Sequence, residues 1–275
     1  MASGGGGSSL SSPIPFPEKE PITVFINGVT VPVVGETPLI THGIIGACVS
    51  SLKFRNWINS IDPEFTVTCI VIQSVDMFGP NVGFIKVKAD ATIKAVDKKD
   101  GVLKDMPIPS IVFIRGASVA ILVILMCEGK RWIIWTKQPR FAVGSRYCVE
   151  LPAGMLDENG NFAGVAAKEL SEETGIKITT SMLDYLGNIY PSPGGCDEMI
   201  GLFCYTQEVS PKELADFQGK CTGVEGEIIT LEIMPYEGVE HSTEPLDAKA
   251  LCAVLLYERK EAEKAAKAAK AAAAV

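Results

Sequence analysis

The sequence predicts an α/β protein: an α/β sandwich preceded by a mostly β region. Three observations carry this. Segments that alternate or run continuously apolar in short blocks recur along the chain. Glycine and turn residues separate them. Helical spacing appears among the strands, once early at 54–61 and repeatedly from 163 onward. The most apolar block, "SVAILVILMC" at 118–127, is too short to cross a bilayer, which takes about 20 residues. Its β-branched content predicts a buried strand.

The elements follow in order. Residues 1–20, with "ASGGGGSSLSSP", have no apolar targeting core and no Lys or Arg before position 19, and are expected to form a disordered leader. "PITVFINGVTVPVVG" (21–35) alternates around Asn27-Gly28, a hairpin signal. "FRNWINSI" (54–61) has helical spacing. "FTVTCIVIQSVDMFG" and "VGFIKVKADATIKAV" predict strands, so residues 21–110 are expected to form an N-terminal β subdomain. A second domain is expected over 111–258. Its first strands break at Gly116, at Glu128-Gly129 and at Gly144. A helix follows near 163–174, then strands near 184–190, 200–206 and 228–234, and helices near 211–217 and 246–262. The tail 259–275, rich in Ala and Lys, is a strong helix former.

Composition excludes some functions. The chain has 275 residues, 47% hydrophobic and 21% charged, with a net charge of −8. No nucleic-acid partner is expected, because neutralising phosphates needs clustered Lys and Arg. No membrane partner is expected either. A phosphate-bearing small molecule is compatible with acidity, since a bound metal can supply the positive charge. The eight cysteines form no CxxC pair, and only two histidines are present. Scattered cysteines of this kind read as reduced core residues in an intracellular compartment.

"GMLDENGNFAGVAAKELSEETGI" (154–176) concentrates charge. On a helix, Glu172 and Glu173 lie three and four residues beyond Glu169 and share its face. Like charges so placed repel by a few tenths of a kcal/mol per pair. A hard divalent cation, Mg²⁺ or Mn²⁺, reverses that repulsion. The plain alternative is a solvated helix face ended by Gly175, with Lys168 pairing Glu172.

The segment resembles the Nudix box, G-x5-E-x7-R-E-U-x-E-E-x-G-U with U aliphatic. Gly154, Glu169, Leu170, Glu172, Glu173, Gly175 and Ile176 match. Gly160 stands where the pattern has its first Glu, and Lys168 where it has Arg. Asp157 and Glu158 are candidates to replace the missing carboxylate. "ELPAGML" (150–156), "PSPGGCDE" (191–198), "VDMFG" (75–79) and "VGFIKVKAD" (82–90) extend the resemblance to the ADP-ribose and ADP-sugar pyrophosphatase branch, the plant-type ADP-sugar diphosphatases in particular.

The resemblance implies a Nudix α/β/α sandwich and hydrolysis of an ADP-sugar to AMP and sugar phosphate with Mg²⁺ or Mn²⁺. It implies metal ligands at Glu169, Glu173 and the carbonyl of Ala153, with Glu172 ligating or positioning water. It places a general base in the loop before residues 228–234: Glu227 first, Glu225 second. Arg140 is the implied phosphate-binding arginine and Glu150 a supporting or ligand-contacting carboxylate. Gly194 and Gly195 would let the loop backbone approach the substrate, and Glu198, with Asp197, would contact sugar or metal. Among the tryptophans 57, 132 and 135, core positions are expected first, with Trp135 the candidate for stacking on adenine. A homodimer and a cytoplasmic or plastid location complete the implied picture.

Overall fold

A computed structural model describes residues 20–156, 160–224, 226–239 and 247–273. The expected leader lies outside these residues, apart from Glu20.

The first sheet contains six strands. β1 (Thr23–Ile26) and β2 (Val29–Gly35) form the predicted hairpin, with Asn27 and Gly28 both at positive φ, 48° and 86°. β2 pairs in parallel with β3 (Phe65–Phe78), which pairs antiparallel with the long β4 (Asn81–Val96). β5 (Leu103–Pro107) and β6 (Ile111–Ile114) both pair with β4. The parallel step needs a crossover, supplied by α1 (His42–Ser50) and α2 (Leu52–Asn59). Their capping residues Thr41 and Ser51 accept from the backbone N–H groups of Ile44 and Phe54. The buried core of this sheet gathers Ile45, Cys48, Phe54, Ile70, Ile72, Ile85 and Val87. The sequence predicts only the second helix. "HGIIGACVS" is apolar without a polar face, so no helical period marks it.

The second sheet has the order β11-β12-β7-β8-β14-β13, with β9 and β10 as side branches. β7 (Ser118–Cys127) is central. Its neighbours are β12 (Ile200–Glu208), in parallel, and β8 (Lys130–Arg140), antiparallel. β9 (Ser145–Glu150) pairs with β8, and β10 (Ala153–Met155) with β7. β11 (Asp184–Ile189), β13 (Cys221–Thr222) and β14 (Ile229–Pro235) complete it.

Alternate residues of β7 serve two cores. Val119, Ile121, Val123 and Leu125 pack under α3 (Phe162–Thr174). Ala120, Leu122 and Ile124 pack under α5 (Ala248–Ala273). A strand covered on both faces must be apolar throughout, which explains the 118–127 run. α4 (Pro211–Phe217), held by a Ser210/Glu213 capping box, flanks the α3 side. The arrangement is an α/β/α sandwich.

Two boundaries differ from expectation. β6 belongs to the first sheet, so the change of sheet comes after Ile114 rather than at 110/111. α5 runs unbroken to Ala273, so the Ala/Lys-rich tail continues the helix that packs on the sheet instead of starting at 259.

Candidate active site

α3 is fixed at both ends by its own sequence. The Asn161 side chain accepts from Gly164 N at 3.0 Å. Gly175, at φ 82°, donates its N–H to Ser171 O at 3.0 Å. Between these caps the helix buries Val165, Ala166 and Leu170 against β7, and Glu173 lies on the same buried side.

Glu173 is 4% exposed. Its Oε2 accepts from Ala153 N of β10 at 3.1 Å. Burial pushes its carboxyl up to about 8. The Ala153 N–H works against that rise, while the nearby charges of Glu169 and Glu227 add to it. Glu169 is raised by burial and by Glu172, against the pull of Lys168, and Glu227 raises it further. Gly154 lies directly beneath Glu169: a Cβ there would collide with the Glu169 carboxyl. The glycine that opens the motif is therefore required by space, not by backbone angle. Glu172 is half-buried, 3.6 Å from Lys168.

Glu227 reaches this group from the loop between β13 and β14. Its Oε2 accepts from Val224 N at 3.0 Å, and Gly223 N donates to Glu172 O at 3.3 Å. The first bond shapes the loop, and the second ties it to the end of α3. Glu225, Asp157 and Glu158 lie outside the described residues. Gly160 is exposed at φ 67°, a conformation that strains any side-chain-bearing residue, so the position where the pattern has a glutamate suits glycine here.

Among the described residues, no three acidic, thiol or imidazole side chains converge tightly enough to hold one ion as they stand. The donor chemistry nonetheless fits a hard divalent cation. All the groups on this face are carboxylate oxygens, and their neighbours' negative charge adds to the upward shift of Glu169 and Glu173. A cation is what such a set lacks. Glu169, Glu172 and Glu173 are the residues that would hold it.

Arg140 and Glu150 sit beside this face. Arg140 Nε lies 2.6 Å from Glu150 Oε2, and the Arg140 charge is felt at Glu173. Glu150 is 8% exposed, and its Oε1 lies 2.8 Å from Lys249 Nζ, which also contacts Asp247 Oδ2 at 2.6 Å. Burial works to raise the Glu150 carboxyl, but Lys249 and Arg140 outweigh it and hold it below the usual range. Sequence reasoning missed Lys249 and Asp247. One signal was available: Lys249 interrupts a run in which Ala250, Ala253 and Val254 are all buried.

The 191–198 loop is bound to the first sheet. Phe113 N of β6 donates to Gly195 O at 2.8 Å, and Asp197 N donates to Phe113 O at 3.3 Å. The Asp197 carboxylate accepts from Arg115 N at 2.8 Å and Gly116 N at 3.1 Å. Asp197 is thus a loop anchor. Glu198 accepts from Ser118 Oγ at 3.0 Å and lies 3.5 Å from Arg115 Nε, apart from the α3 glutamates. Ser118 pairs with Met155 of β10, so Glu198 borders the same end of the sheet as Gly154. Gly194 and Gly195 have open space around them and no left-handed backbone, so nothing within the chain requires glycine there.

Trp135 is no adenine platform. It is 2% exposed and packs in the core beneath α5. Trp57 and Trp132 are half-buried against the other cores.

The family model of the NUDIX domain matches residues 115–254. The chain belongs to the Nudix family. It is 36% identical over 278 aligned positions to "Nudix hydrolase 14, chloroplastic" of Arabidopsis thaliana, covering 93% of this chain and 83% of that protein. It is 33% identical over 148 to "ADP-ribose pyrophosphatase" of Bacillus subtilis, covering 53% of this chain and 74% of that one. The enzyme is thus a Nudix hydrolase, and the divalent-metal dependence general to such hydrolases suits the acidic face of α3. All eight cysteines are free thiols, and no helix among the described residues is long and apolar enough to cross a membrane.

Proposed function

We propose that this Nudix hydrolase cleaves the pyrophosphate of an ADP-sugar, ADP-ribose or ADP-glucose, to AMP and sugar phosphate, with Mg²⁺ or Mn²⁺. One observation carries the reading: Glu169, Glu172, Glu173 and Glu227 crowd one face above Gly154 with little positive charge from the chain, next to an arginine suited to phosphate. The name of the Bacillus relative supports the substrate class.

A bound divalent cation supplies the positive charge that an anionic pyrophosphate and an attacking water both need. The chain's own residues do the rest. Glu169 and Glu173, one turn apart on a rigid helix, fix the site relative to the sheet. The Ala153 N–H orients Glu173, and its carbonyl is the proposed backbone ligand. Glu172 holds water on the exposed side of the face. Glu227 takes the proton of the attacking water, from a loop whose contacts with α3 bring it to the acidic face. Arg140 offers its guanidinium to a phosphate oxygen, with Glu150 holding it from behind. Gly194 and Gly195 leave room for substrate, and Glu198 sits at the site's rim.

A homodimer is part of this reading. Fully exposed Phe141, with exposed Val143 and Tyr147 around the turn after Arg140, supports a subunit contact beside the site. An intracellular setting, cytoplasmic or plastid, fits the free thiols. A second reading, a Nudix-fold nucleotide binder with weak turnover, rests on Gly160 and Lys168 at two positions of the motif.

The test is AMP release from ADP-ribose and ADP-glucose with Mg²⁺, wild type against Glu173→Gln. Metal-dependent release that collapses in the variant is expected. Release confined to another substrate in a panel of UDP-sugars, NADH and dinucleotide polyphosphates would move the enzyme to that diphosphate. Binding without release would favour the second reading.

A further inference from the structure

Asp247, Lys249, Glu150 and Arg140 form a chain of alternating charge, with contacts of 2.6, 2.8 and 2.6 Å. The side chains of Lys249 and Glu150 are each 10% accessible, whereas that of Arg140 is 43% accessible. The chain of charge therefore runs from the buried start of α5 to the surface beside the α3 glutamates. Ion pairs at this depth lose much of their attraction to desolvation, and apolar packing would serve stability as well. Their value must lie in what they hold in place.

Glu150 has two oxygens and each has one cation. Lys249 takes Oε1, so Arg140 meets only Oε2, and does so through Nε. Among the described residues, the terminal amino groups of Arg140 make no hydrogen bond. An arginine beside an unshared carboxylate commonly adopts the two-bonded fork, which spends a terminal amino group as well as Nε.

We propose that Lys249 is a positioning residue for Arg140: by holding one oxygen of Glu150, it limits Arg140 to a one-nitrogen grip and keeps the terminal guanidinium groups free for a phosphate of the substrate. The inference rests on the ADP-sugar reading above, because it requires Arg140 to bind the pyrophosphate. Lys249 itself never touches substrate. It acts through Glu150 from the sheet face opposite the metal-binding helix.

The test is steady-state kinetics on ADP-ribose with Mg²⁺. In Lys249→Met, Arg140 closes on both oxygens of Glu150. KM rises about tenfold, the worth of one weakened charge-assisted contact, while kcat stays within about threefold. Lys249→Arg, which keeps a cation on Oε1, restores KM to within about twofold of wild type. A merely structural lysine would lower the melting temperature without this split between KM and kcat.

Should Lys249→Met fail to fold, the pair Glu150→Gln and Glu150→Gln/Lys249→Met decides. Without the carboxylate there is nothing to trap Arg140, so both have the same KM. An unchanged KM in Lys249→Met, or a further rise of KM in the double variant over Glu150→Gln, overturns the proposal. A wild type that hydrolyses no nucleoside diphosphate derivative overturns the functional reading and this inference together. A wild type that is active alongside an unmoved Lys249 variant overturns this inference alone.

Discussion

Glu173 and Glu150 are both nearly buried carboxylates, 4% and 8% exposed, in adjoining parts of one site. Their titration is shifted in opposite directions. Glu150 has two cations from its own chain. Glu173 has one backbone N–H and the charge of Arg140 against two further carboxylates. Burial acts alike on both, so the neighbours decide. A carboxylate that the protein itself neutralises is part of the scaffold. One left uncompensated, at some cost to the fold, awaits a charge from outside.

The most severe break of this contrast is Gly154→Ala, which drives a methyl into the Glu169 carboxyl, or Glu173→Gln, which removes a proposed ligand. Each is expected to lower kcat/KM by at least about a thousandfold, read as AMP release at saturating Mg²⁺. Next comes Glu227→Gln, expected to lower kcat by about 10²–10⁴-fold with Mg²⁺ binding retained, as for loss of a general base. Isothermal titration with Mg²⁺ separates the two cases.

Stability follows with opposite signs. Glu173 has its folded pKa raised from 4.5 to about 8. Its neutral form stabilises the metal-free fold at low pH, and that contribution is lost as pH rises from about 4.5 through 8. Mg²⁺ is therefore expected to raise the melting temperature more at pH 8.5 than at pH 6. In Glu173→Gln the metal-free protein becomes more stable than wild type at pH 8.5. Glu150 runs the other way: its lowered pKa contributes stability above the usual carboxylate range, lost on acidification. Glu150→Ala leaves the buried Lys249 with Asp247 alone and frees Arg140, and costs about 3 kcal/mol at pH 7, measured by urea unfolding. The smallest effect belongs to Lys168→Met. Its exposed pair with Glu172 is worth less than about 1 kcal/mol, so a melting temperature within about 2 °C of wild type is expected.

Much of this was legible because it is local. Asn27-Gly28 specifies its hairpin, the β7 run declares a buried strand, and Gly175 ends the helix that aligns the glutamates. What was hidden is long-range. Lys249 meets Glu150 across 99 residues, and no spacing rule joins them. Nothing in "HGIIGACVS" signals α1, because tertiary packing, not a polar face, keeps it helical. Trp135, expected first in the core, stays a candidate for stacking until β8 is placed against α5. The box glutamates were visible as a group, while the Ala153 N–H and Gly154 that receive them required the strand facing the helix.

The bonds from β6 to the 191–198 loop have a practical consequence. A gene fragment limited to the family-matched stretch, 115–254, would encode every box glutamate, Arg140 and Lys249. It would also leave the Gly195 carbonyl and the Asp197 amide with no strand edge to meet. Such a trimmed protein retains its acidic helix and loses the frame around the substrate. Anyone seeking a minimal enzyme should cut ahead of β1, not between the sheets.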